Sequence, residues 1–211
     1  MDPDGREVED DYKLTKKGEF VLVRKTKDNF DKVFAVGQNG EVNKNIYIII
    51  NKSIIEGLKK SHTVTVGDNL QNDVYKLFMF GANNTEVEWS AIRGIDKKGN
   101  NIFGVGTYKD KARAPGVDKY NMPYKNVVSF IHSHPSPNGG YKGEPKTMYG
   151  DRGVAHWYRV RNGGKIPHYY YVYMADSGRL WAINRSKDKI EFIRNTKYDY
   201  RRLFFGTLNS R

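Results

Sequence analysis

The run Val127-Val128-Ser129-Phe130-Ile131 constrains the fold more than any other stretch of this chain. It is largely apolar on both faces of an extended backbone, and such a strand needs cover on both sides. It therefore predicts a central, buried strand in a layered structure. Around it, Phe20 to Lys25 and Lys32 to Val36 read as a pair of short strands, and Ile46 to Ile50 as another. Ser53 opens a helical run through Ile54, Ile55 and Leu58. Asp68 is placed to cap a second helix, with Leu70, Val74, Leu77 and Phe78 at helical spacing and a stop at Gly81-Ala82-Asn83-Asn84. Strands follow over 87–92, 101–108, 169–174, 180–183 and 190–193, and a helix from Asp151 carries Val154, Trp157, Tyr158 and Arg161. The order of elements predicts an α+β or α/β layered fold. The expected division is a polar junction over 1–17, a β-rich extension over 18–66 and the main domain over 67–211.

Composition closes off several classes. The 211 residues contain no cysteine, which removes disulfide scaffolds, thiol nucleophiles and Cys-ligated zinc. No window approaches the roughly 18 apolar residues of a membrane span, so a soluble protein without membrane contact is expected. Met1 to Glu7 holds no apolar segment of the kind a signal peptide requires, so none is expected. The net charge of +12 raises the question of nucleic acid. Charges of both signs are interspersed, as in Glu9 to Lys17, and no zinc-finger, basic-zipper or RNP-like pattern occurs. Nucleic acid is thus not the expected partner, and an acidic protein or polyanionic substrate stays open.

Chemistry concentrates at Ile131-His132-Ser133-His134-Pro135. Residues two apart on a strand face the same side, so both imidazoles reach one point, and Pro135 ends the strand where they emerge. Two imidazoles on a rigid strand are half of a zinc site; the same pair could equally be two solvated histidines at a strand end. Asp151, after a Gly- and Pro-rich loop, could add an oxygen ligand and leave a fourth position for water, or simply cap its helix. Glu88 shares a strand face with Ser90 and Ile92, opposite Trp89. A buried carboxylate there suits a general base, an exposed one would be ordinary, and Glu86 competes for the role.

The ordered set Glu88, His132-Ser133-His134-Pro135 and Asp151 resembles the JAMM motif of the JAB/MPN metalloproteases. The likeness covers roughly 70–185, including the strand Glu88 to Gly94 and the segment His168 to Tyr173. It implies a central mixed β-sheet flanked by helices, zinc held by His132, His134 and Asp151, water activated by Glu88, and hydrolysis of a peptide or isopeptide bond. Two features depart from the motif. The loop before Asp151 is longer than usual, and Met148 stands where the family has an oxyanion-holding serine, leaving neighbouring Thr147 or Tyr149 as a substitute. Asp2-Pro3-Asp4-Gly5-Arg6 is similar to the end of the core of Rhs/YD-repeat proteins, and Asp10-Asp11-Tyr12 with Phe20 to Lys25 to the entry of JAB-like toxin modules. Together these imply the toxin end of a polymorphic or type VI effector. An Rhs-type carrier would deliver it into a target cell, where it meets a protein substrate; a cognate immunity protein, acidic by charge complementarity, is implied as well. The rival readings are a metal-dependent nuclease drawing on His156 or His168, and a non-catalytic JAB-like binding module.

Overall fold

The computed structural model describes residues 10–25, 30–135, 151, 160, 169–183 and 190–195. Among them are two mixed sheets and two α-helices. Strands β1 (Asp10–Leu14), β2 (Phe20–Arg24), β3 (Phe30–Val36) and β4 (Val42–Asn51) form a sheet in the order β2-β1-β3-β4. After α1 (Lys52–Lys60), strand β5 (Thr63–Gly67) opens the larger sheet. That sheet adds β6 (Trp89–Ile95), β7 (Asn101–Thr107), β8 (Val127–His134), β9 (Tyr169–Met174), β10 (Arg179–Ile183) and β11 (Ile190–Asn195). Its order is β11-β10-β9-β8-β6-β7-β5, with β8 parallel to β9 and every other pair antiparallel. The apolar run 127–131 thus lies at the middle of seven strands, and an α+β fold is observed.

Between the sheets lies α2 (Gln71–Asn84), which contacts β4 of one and β6 and β7 of the other. Val74, Tyr75, Leu77, Phe78, Met79, Phe80, Gly81 and Ala82 are all buried, so the helix is covered nearly all round instead of along one stripe. One hydrophobic cluster accordingly joins Tyr12, Leu14, Val33 and Ile50 of the smaller sheet to Trp89, Val105 and Ile131 of the larger. The opposite face of the larger sheet buries Ile92, Phe130, Val172 and Met174 under Val117, Tyr120 and Met122.

Four local expectations are corrected. Residues 10–14, assigned to the polar junction, are β1: Asp10, Tyr12 and Leu14 alternate inward, a pattern masked in sequence by the acidic pair Asp10-Asp11. The strands 20–25 and 32–36 do not pair with each other, because β1 inserts between them, antiparallel to β2 and parallel to β3. Asp68 begins a 3₁₀ turn (Asp68–Leu70) and makes no capping bond; α2 starts at Gln71. The first helix is capped by Asn51, whose side chain accepts the Ser53 N–H. The sequence-predicted helix beyond Asp151 lies outside the described residues apart from Asp151 and Val160.

Gly81 shows how closely α2 seats on the larger sheet. A Cβ there would run into the Trp89 ring. Overpacking of about 1–3 kcal/mol against a helix-propensity gain of about 1 kcal/mol should leave Gly81→Ala destabilised by up to about 2 kcal/mol. Urea unfolding of the two proteins measures the difference, and a stabilised variant would refute the tight seating.

Candidate metal centre

β8 delivers His132 and His134 to one face, both about 5% exposed. The two Nε2 atoms are 3.2 Å apart. Asp151 closes the group, with Oδ1 2.7 Å from His132 Nε2 and Oδ2 3.2 Å from His134 Nε2. Burial alone would raise the Asp151 pKa, but the His132 and His134 imidazoles, by charge and hydrogen bonding, hold it well below the usual carboxylate range. Three donor atoms that close crowd one another unless a proton or a cation sits among them. The His132 Nδ1 is buried with no hydrogen-bond partner among the described residues, so no bond there fixes the tautomer. His132, His134 and Asp151 form a group that could hold a metal ion.

Glu88, expected within a strand over 87–92, lies immediately before β6. The ladder between β6 and β8 runs to the pair Ser90–His132 and then stops. Beyond it the strands are joined by a side chain: the Trp89 N–H donates to Ser133 Oγ at 3.0 Å. Extending the register by two residues sets Glu88 beside His134, and its Oε1 lies 3.9 Å from His134 Nε2. Three further contacts fix Glu88. Its N–H donates to the Asp110 carbonyl at 2.8 Å, its carbonyl accepts Thr107 Oγ1 at 2.8 Å, and its carboxyl group accepts the Ala114 N–H. Burial pushes its pKa up to about 8; the charge of His134 works against this, and those of Asp151 and Asp110 add to it. Glu86, the competing carboxylate, instead points to Lys111 Nζ at 2.8 Å and is substantially exposed.

Of the residues singled out in the sequence, Glu88, His132, His134 and Asp151 come together. Thr147, Met148, Tyr149, His156 and His168 lie outside the described residues. Ser133 faces away from the imidazoles, as strand alternation requires, and serves as the bridge to Trp89. Thr107 and the 110–114 loop were not foreseen as part of the site. The one available signal was that β7, as the hairpin partner of β6, must return Thr107 to the level of Trp89.

The geometry describes an α+β domain built round a candidate metal centre at the end of its central strand. Residues 67–156 match the family described as JAB-like toxin 1, which supports a JAB-like toxin domain over this part of the chain. Neither a curated protein nor a solved structure matches the chain. Among the described residues no helix is long and apolar enough to cross a membrane.

Two outcomes follow from these contacts. Ser133→Ala strands the buried Trp89 N–H and should cost about 1–3 kcal/mol in urea unfolding, with Ser133→Thr restoring most of it. In metal-free protein the Glu88 carboxyl, with its folded pKa raised to about 8, contributes stability that is fully present below its ordinary value and lost as pH rises toward 8. The stability of wild type relative to Glu88→Gln should thus decline between about pH 5 and pH 8. A flat difference across that range would show that Glu88 is ionised throughout.

Proposed function

We propose that the chain is a zinc-dependent peptidase or isopeptidase that acts as the effector end of a toxin. The observation that carries this reading is the convergence of His132, His134 and Asp151, with ligand atoms 2.7–3.2 Å apart, beside the buried Glu88 carboxyl 3.9 Å from His134. Zinc–nitrogen bonds of about 2.0–2.1 Å at tetrahedral angles separate ligand atoms by roughly 3.3 Å, close to the spacings in this group. The donor set also suits zinc, with two imidazoles and one carboxylate leaving a fourth position open. The toxin reading is supported by the JAB-like toxin match over 67–156.

Bound there, zinc would supply Lewis acidity, polarising the scissile carbonyl and acidifying water toward a pKa of about 7. The chain's own groups divide the remaining work. His132 and His134 are presented by a strand with neighbours on both sides, so their separation is set by the sheet. Asp151 contributes the negative charge. Glu88 accepts the proton of the attacking water and passes it to the leaving nitrogen, held for this by the Ala114 N–H and the Thr107 and Asp110 bonds to its backbone. Thr147 is proposed to steady the developing oxyanion in place of the serine that Met148 replaces. The substrate would be a protein of a target cell, reached by way of an Rhs-type carrier, and a cognate acidic immunity protein would restrain the toxin at its source.

Elemental analysis of purified wild type, His134→Ala and Glu88→Gln is the test. About one zinc per chain is expected in wild type and Glu88→Gln, and none in His134→Ala. Glu88→Gln should keep its metal yet lose cleavage of target-cell proteins by about 10²–10⁴-fold. Absence of metal from wild type after zinc is supplied would sink the hydrolase reading; retained metal with unimpaired cleavage in Glu88→Gln would remove Glu88 as the base.

A further inference from the structure

The smaller sheet ends at β2, whose outer edge pairs with no described strand. Free edges are usually blunted by a charge, a proline or a bulge. β2 reads Phe-Val-Leu-Val before Arg24, and its one bulge, at Val23, leaves Phe20 to Leu22 in regular register with β1. Val21, Leu22 and Val23 are 40%, 45% and 52% exposed, so side chains on both faces of the strand meet solvent. Such an edge is a template for one more strand.

Beside it runs a groove of about 310 Å³. Phe20, Val21 and Leu58 give it apolar walls, and Lys59, Lys109 and Glu19 its charges. Lys59 lies over the Tyr12 ring at 4.9 Å and, like Lys109, makes no ion pair among the described residues. Lys17 in the preceding turn and Lys25 just past the strand are likewise exposed and without an ion pair among the described residues. Arg24 is neutralised by Asp11 at 3.1 Å, and among the residues that line the groove Glu19 is the one carboxylate beside Lys59 and Lys109.

We infer that the β2 edge and this groove form a docking site for an extended, acidic segment of a partner protein. The segment adds as a fifth strand: its backbone pairs with β2, one set of alternate side chains enters the groove, and its carboxylates face Lys59 and Lys109. Backbone pairing provides the affinity, and the lysines select acidic over basic segments. The inference does not depend on the chemistry at His132 and His134.

A fluorescent peptide alternating glutamate and valine, titrated into the full chain and followed by anisotropy, tests it. Binding should weaken at least about tenfold when alternate peptide nitrogens are methylated, since these no longer donate to β2. A comparable loss is expected for a lysine-for-glutamate peptide and for the surface double variant Lys59→Glu/Lys109→Glu, whose fold is checked by circular dichroism. Val21→Lys probes the apolar wall separately. The inference is overturned if the acidic peptide does not bind, if methylation leaves binding unchanged, or if both variants bind as wild type does. Concentration-dependent dimers that exclude the peptide would give the edge to a second copy of the chain and overturn it equally.

Discussion

The site depends on a ladder that stops. β6 and β8 are hydrogen-bonded as far as Ser90 and His132, and the next link is the Ser133 hydroxyl under the Trp89 N–H. A continued ladder would hold the strands at the usual separation of about 5 Å and close the space between Glu88 and His134 to side-chain width. A side-chain bridge lets the two strands part without leaving a buried donor unpaired. Four ionisable side chains thereby share one buried volume: Asp151 is held ionised by the imidazoles, while Glu88, a step farther away, has its pKa pushed upward by burial. The two carboxyl groups are thus driven in opposite directions by their surroundings.

Much of this was legible in the residues. The two-residue spacing of His132 and His134 and the proline after them fix a common face and a strand end from local rules alone. Glu88 was legible from its alternation with Ser90 and Ile92, although nothing in the sequence separated it from Glu86; only the fold turns Glu86 outward to Lys111. Thr107 was readable only through the hairpin return that sets it opposite Trp89, and Ala114 not at all, because its role arises from a loop crossing that no periodicity encodes. β1 was missed because two of its five residues are acidic, and the inward face of Asp10 is tolerated through Lys52 at 3.4 Å, a partner some forty residues away that local patterning cannot supply.

The segment before Glu88 is tied down from outside the stretch that matches the toxin family. The Lys16 carbonyl accepts the Glu86 N–H at 2.8 Å, Lys16 Nζ donates to the Asn84 carbonyl at 3.1 Å, and Phe20 meets Trp89 edge-on with ring centroids 6.3 Å apart. The turn between β1 and β2 thus braces the approach to Glu88 from one side, and the loop after β7 braces it from the other. The smaller sheet is in this sense part of the frame of the site.

The double burial of α2 carries this further. A helix with an apolar stripe can lose a neighbour and remain presentable to water; α2 has no such side to turn outward. The family stretch begins at residue 67, so cutting the chain there would uncover residues that the smaller sheet now shields. The unit that folds together is then larger than the stretch that bears the motif. The sheet that bears neither His132 nor His134 is bound by one hydrophobic core to the sheet that bears both.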